Sequence, residues 1–255
     1  MKTIFITGAT ENTGYAIARH FAKNHFNVAI SSRVREKAEA AARKIEEDFG
    51  VQARGYELDL TDTDNISDVF SRIKKDFGTL DVFVPNSAHL GVGYGIFNTT
   101  PEIFDEITRV NERGTFFCCQ NAAKIMKEQR SGNIVIMGSI QYTGAVRGRT
   151  VYSMTKGALA SLTRNLAFEL AEYNIRVNYI VAGAIHTNRW DNSPDDVVMK
   201  RRSQYPLGRE VSGEDIANAV YYLATDLSSN ITGIDLVIDA GLSVCLLPYK
   251  KAGEE

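Results

Sequence analysis

The chain has 255 residues, an ordinary length for one large α/β domain, and 44% of them are hydrophobic, too many for a disordered chain. A formal net charge of −2 leaves no electrostatic footprint for a nucleic acid or a membrane surface. No apolar run approaches the roughly 18 residues a transmembrane helix needs, and the apolar stretch after Lys2 breaks at Gly8, too early for the core of a signal peptide.

A first strand is predicted over residues 3–7, and the turn TGATENTGYA leads from it into a helix over 14–23. Strand 27–31 and helix 36–49 follow, then strand 52–58 and helix 65–77. Strand 81–84 runs into Pro85, which lacks a backbone N–H at the end of a central strand. A long helical pattern over 102–129 comes next, opened by Thr100-Pro101, an N-cap with proline at the first helical position. Its Cys118 and Cys119 are expected on different faces of the helix, which argues against metal ligation. No metal site is predicted, and with Cys245 the three thiols fit a reduced, cytoplasmic setting. Strand 133–137, helix 153–171, strand 176–181, helix 214–225 and strand 236–239 complete the series. Ser193-Pro194 repeats the cap-and-proline signal, and Ser193 to Asp196 and Ser212 to Asp215 resemble capping boxes with Asp in place of Glu. Several strands are continuously apolar, as strands buried on both faces are. The alternation predicts one α/β domain over residues 1–247, a doubly wound, mostly parallel seven-stranded sheet with helices on both faces, and a loose tail at 248–255.

In such a sheet the first strand-to-helix turn is the natural phosphate site, because free N–H groups and the helix dipole both favour an anion there. Gly8 and Gly14 allow a tight turn and a close approach of the backbone. Asn12 stands where a third glycine is usual, and asparagine is the next best residue for a left-handed backbone. By itself the stretch also fits a tight turn with no ligand. Further on, Ser139 ends a strand, and Tyr152 and Lys156 share one helix face at i and i+4. A neighbouring ammonium stabilises phenolate and lowers the pKa of tyrosine, which makes it a usable acid or base near neutrality.

These residues together resemble the short-chain dehydrogenase/reductase family, over residues 2–243. TGATENTG matches its glycine motif except at Asn12; PNSA matches the motif after its fourth strand, with Pro85 and Ser87 as departures and Asn86 kept. VNERGTF carries the helix asparagine, Asn111; Ser139, Tyr152 and Lys156 match the catalytic set; AGAIHT matches the segment after the sixth strand, with Ala182 for proline; ITGIDLVIDAG matches the last strand. The resemblance implies a Rossmann fold and hydride transfer between a nicotinamide and a carbonyl carbon. Tyr152 would then exchange the proton, Ser139 orient the carbonyl oxygen, Lys156 lower the pKa of Tyr152 and hold the nicotinamide ribose, and Asn111 support a water linking Lys156 to solvent. Without that function, Asn111 and Ser139 read as polar groups satisfying a helix kink and a strand end.

The implied cofactor-binding residues are Gly8, Thr10, Glu11, Asn12, Thr13, Gly14, Ser32, Arg33, Asp59, Leu60, Asn86, Ala88, Tyr152, Lys156, Gly183, Ile185 and Thr187. Ser32 replaces the acid that NAD enzymes of the family use on the ribose 2′-OH, and Arg33 follows, so NADP(H) is expected over NAD(H). Arg33 as a solvated charge and Asp59 as a turn cap are the alternatives. The segment around 184–210 is expected to act as a substrate lid. His89, Tyr94, Gln141, Arg149, His186 and Trp190 form a polar set suited to a sugar, polyol, sugar acid or similar ketone. The competing substrate is a 3-oxoacyl group on an acyl-carrier protein, for which Arg130 supplies one of two expected basic residues, Tyr173 standing at the other. Related enoyl reductases space Tyr and Lys more widely. A cofactor-binding sensor that has lost turnover is the alternative of another class. A homotetramer packed through the two long helices is expected from the family, with no nucleic-acid or membrane partner.

Overall fold

The computed structural model describes residues 1–245. Residues 246 and 247 of the predicted domain and the predicted tail at 248–255 lie outside them. The elements run β1 (Thr3–Ile6), α1 (Asn12–Lys23), β2 (Asn27–Ser32), α2 (Arg35–Phe49), β3 (Ala53–Glu57), α3 (Thr63–Phe77), β4 (Val82–Val84) and α4 (Pro101–Thr108). After a π-helical segment at Arg109–Gly114 come α5 (Thr115–Gln129), β5 (Gly132–Met137), α6 (Thr150–Leu170), β6 (Ile175–Ala182), α7 (Asp195–Arg202), α8 (Gly213–Ala224) and β7 (Asp235–Ile238).

The seven strands form one sheet in the order β3-β2-β1-β4-β5-β6-β7, and every pair is parallel. The order reverses between β1 and β4, and that reversal opens a crevice at the carboxyl ends of the strands. β1 shows why this sequence sits at the centre. Its four residues are all buried, and successive side chains serve opposite layers: Ile4 and Ile6 join one core, Phe5 the other. The first core is closed by α1, α2 and α8 through Ile17, Phe21, Ile45, Ile216 and Val220. The second is closed by α3, α5 and α6 through Val69, Phe70, Ala122, Met126 and Leu159.

Local chemistry sets the helix starts. The Asp62 carboxylate accepts the Asp64 and Asn65 N–H groups at the start of α3. Thr100 caps α4 ahead of Pro101, and Ser212 with Asp215 forms a reciprocal capping box on α8. Three expectations need correction. Ser193 caps nothing: its N–H closes the preceding turn on the Trp190 carbonyl, the residue before α7 is Pro194, and the box with Asp196 does not form. The helix expected over 102–129 is interrupted, because Arg109–Gly114 winds as a π segment. A Cβ on Gly114 would lie 2.5 Å from the Leu60 carbonyl oxygen, so this approach needs glycine. Cys118 and Cys119 face the same core, since a buried helix stripe is wide enough to include neighbours one position apart. Burial pushes both thiols up, Cys119 to about 12. Among the described residues, no helix is long and apolar enough to cross a membrane, and no cluster of three His, Cys, Asp or Glu could hold a metal.

Candidate active site

The turn after β1 is built for close packing. Gly8 has φ +61° and Asn12 φ 51°, so Asn12 takes the left-handed conformation that glycine would otherwise supply. A Cβ on Gly14 would come within 2.8 Å of Ala9, the Asn86 amide and the Gly8 carbonyl. Asn86 donates through Nδ2 to the Thr7 and Gly8 carbonyls, tying the end of β4 to the turn. The chain after Pro85 is held by the Thr7 hydroxyl, which accepts the N–H groups of Asn86 and Ser87, both at 3.0 Å. Thr10 lies in the turn and Thr13 in the first turn of α1. Glu11, at the N-cap of α1, makes no side-chain cap bond, so its carboxylate leaves the helix N-terminus uncapped. The Asn12 Oδ1 accepts the Asn188 N–H rather than folding over the turn. Close backbone, left-handed residues and an uncapped helix start fit a dinucleotide pyrophosphate.

At the end of β2 the Ser32 hydroxyl accepts the Val34 N–H, and Arg33 is exposed, with no ion pair among the described residues. Asp59 caps its own turn, accepting both the N–H and the hydroxyl of Thr61 at 2.8 Å. Leu60 is buried against the π segment, and Ala88 lies in the loop after β4. Gly183 extends the β6–β7 pairing by donating to Ile238. Ile185 forms a bridge with Val211, and Thr187 precedes a short turn at Asn188–Trp190.

Beyond the end of β5 four polar side chains are packed together out of water. Asn111, Ser139, Tyr152 and Lys156 are all buried, Tyr152 at 9% exposure and Lys156 at 4%. The π segment aims Asn111 at the loop after β4, where it donates to the His89 carbonyl and accepts the His89 N–H. Its second N–H goes to Thr155 Oγ1, whose own proton goes to the Tyr152 carbonyl at 2.7 Å. Both amide protons of Asn111 are thus committed to protein, and the side chain anchors the loop and helix. The Lys156 ammonium donates to the Met137 carbonyl at 2.7 Å and lies 5.5 Å from the centre of the Tyr152 ring. Tyr179, in β6, donates to the Lys156 carbonyl.

The electrostatics differ from the sequence expectation. Burial raises the Tyr152 pKa above its usual value, and its hydrogen bond to Ser139 and the charge of Arg149 pull it only partway back. Burial also drives the Lys156 pKa down to about 8, and its ammonium donates to the Met137 carbonyl. Thr155 and Tyr179 were not legible as site residues. Thr155 sits beside a matched motif, but its link to Asn111 spans the fold, and Tyr179 reads as one more apolar strand position.

The expected substrate residues divide into two groups. Arg149 donates to the Leu90 carbonyl, bridges Tyr94 and stands 5.7 Å from the centre of the Tyr152 ring. Gln141 lies two residues after Ser139, and its Oε1 is buried with no partner among the described residues. His89 faces Glu106 at 3.4 Å. His186 and Trp190 lie instead on the segment after β6, His186 against Asp191 and Trp190 against the Arg201 guanidinium.

A family model described as Enoyl-(Acyl carrier protein) reductase matches residues 8–243. A 3-oxoacyl-[acyl-carrier-protein] reductase from Aquifex aeolicus (strain VF5) is 34% identical over 94% of this chain and 97% of its own. The chain belongs to the short-chain dehydrogenase/reductase family. A 3alpha-hydroxysteroid dehydrogenase from Mediterraneibacter gnavus is 33% identical over 93% of this chain and 95% of its own. Among solved structures, NAD+-bound xylitol dehydrogenase superposes with a TM-score of 0.87 at 27% identity, covering 94% of this chain and 98% of that one. ElxO with NADP bound gives 0.89 at 30% identity, covering 96% and 99%. The protein is therefore an NAD(P)-dependent oxidoreductase of this family, with the family's Rossmann fold.

Proposed function

We propose that the protein moves hydride between NADP(H) and the carbonyl or alcohol carbon of a small polar substrate: a sugar, polyol, sugar acid or similar ketone. The burial of Ser139, Tyr152 and Lys156 together beyond β5 carries the reading, since a buried phenol and ammonium on one helix face are costly unless used. The nicotinamide, when bound, supplies the hydride. The turn from Gly8 to Gly14, with Asn86 behind it, holds the pyrophosphate; Arg33 and Ser32 admit a 2′-phosphate; Asp59, Leu60, Ala88, Gly183, Ile185 and Thr187 line the rest. Ser139 orients the substrate oxygen. Tyr152, kept protonated by burial, gives its proton to that oxygen in reduction and takes it back in oxidation. Lys156, its ammonium 5.5 Å from the centre of the Tyr152 ring, holds the nicotinamide ribose. Asn111 holds Tyr152 in place through Thr155.

Arg149, His89, Tyr94 and the unpartnered Gln141 support a substrate rich in hydroxyl or carboxylate groups, which a site of donors and acceptors favours. His186 and Trp190 form one wall of it, within a lid around residues 184–210. A homotetramer is proposed through α5 and α6, where Phe116 and Phe168 are exposed, Phe168 at 85%. The second reading, a 3-oxoacyl-carrier reductase, is favoured by the relative from Aquifex aeolicus and by Lys127 and Arg130, which flank the Tyr173 ring as a basic patch. A screen of NADPH oxidation against keto-sugars, sugar acids and an acetoacetyl thioester decides between them. Turnover of the polar ketones at least tenfold more efficient than of the thioester is expected; the reverse order favours the carrier substrate.

A further inference from the structure

We propose that Asn12 is a positioning residue that latches the segment after β6 to the dinucleotide turn. Its backbone conformation alone does not call for asparagine, because glycine adopts φ 51° without penalty. The side chain has a separate use. Asn12 Oδ1 accepts the Asn188 N–H at 3.1 Å, and Asn188 Nδ2 donates to the Glu11 carboxylate at 3.1 Å. Two consecutive residues of the turn thus clasp one residue far along the chain. Asn188 opens the short turn that ends at Trp190. The Trp190 ring packs at 4.0 Å on the Arg201 guanidinium, and Arg201 and Arg202 in α7 both pair with the buried Glu210 carboxylate. The base of the segment is stapled by the Ile185–Val211 bridge and by the His186 N–H on the Val211 carbonyl. Between that base and Glu210, the clasp at Asn188 joins the segment to the turn that holds the dinucleotide. The direction of the segment is therefore fixed by the turn. That the latched segment is a substrate wall rests on the function proposed above; the latch itself does not.

Trp190 is the only tryptophan in the chain, so its fluorescence reports on the latched turn directly. The test uses the full-length protein without cofactor, reading acrylamide quenching of Trp190 and amide exchange over residues 188–191. Asn12→Gly keeps the backbone of the turn and removes the acceptor. It is expected to raise quenching about twofold and exchange roughly five- to tenfold, the scale of losing one net hydrogen bond. Asn12→Asp keeps an acceptor that tolerates the left-handed backbone and is expected to restore both readings. Loss in Asn12→Gly with recovery in Asn12→Asp upholds the latch whether or not NADPH binds. Equal readings in Asn12→Gly and wild type, or no recovery in Asn12→Asp, overturn it.

Discussion

Tyr152→Phe is expected to lower kcat by roughly 10²–10⁴, the usual contribution of a positioned general acid. NADPH affinity should stay within about twofold, because the ring still fills its place and only the hydroxyl is lost. Substrate KM should change less than kcat, since the proton matters most in the transition state. The pH dependence has a definite sign. Burial holds the phenol above its usual pKa, so the protonated form needed for carbonyl reduction is dominant throughout the neutral range. Reduction should therefore be flat in Tyr152 titration near neutrality and fall only in alkali. Oxidation, which needs the phenolate, should rise with pH. Steady-state kinetics in both directions against pH check this. Equal kcat in wild type and Tyr152→Phe would remove Tyr152 from the chemistry.

Lys156→Met should separate stability from activity. The ammonium is buried and its pKa falls from the ordinary 10.5 to about 8. The unfolded chain then binds more protons than the folded one between those values, so wild-type stability rises with pH across that window. Below pH 8 the full penalty applies, about 3 kcal/mol at ~1.4 kcal/mol per pH unit. Methionine removes the charge at similar volume but forfeits the bond to the Met137 carbonyl, worth about 1 kcal/mol. The variant is expected to be more stable than wild type by about 2 kcal/mol at pH 7, a rise in Tm of several degrees. The advantage should shrink as pH rises from 8 to 10.5. Turnover should fall by roughly a hundredfold or more, on the scale of misplacing a bound reactant. Thermal unfolding at a series of pH values reads the effect, and a lower Tm in the variant at pH 7 would contradict it.

The fold was largely legible because its signals are local. Continuous apolar strands, glycine at tight turns and the Ser212–Asp215 box each act within a few residues, and each appears where the sequence places it. The long helix over 102–129 reads as unbroken because helical residues continue on both sides of the π segment, with no proline to mark it. The reason for the break is distant: Gly114 abuts Leu60, and Asn111 reaches the backbone of His89. The same distinction runs through the site. Tyr152 and Lys156 could be paired from their spacing, but spacing does not reveal that the Met137 carbonyl takes the ammonium. Arg149 and Tyr94 stand out in the sequence only for polarity, and the bridge that pairs them spans two distant loops. Asn12 looked like a weakness in a glycine motif, and its partner, Asn188, lies 176 positions away.

The proposed function requires that the turn from Gly8 to Gly14 hold NADP(H), with Arg33 reading the 2′-phosphate. Titration of the purified protein with NADPH and with NADH, followed by nicotinamide fluorescence, tests it most directly. NADPH is expected to bind at least tenfold more tightly than NADH, with most of that preference lost in Arg33→Ala, as for one charge-assisted phosphate contact. Preference for NADH would contradict the role of Arg33 and leave the family chemistry standing. Binding of neither nucleotide would contradict the account at its centre.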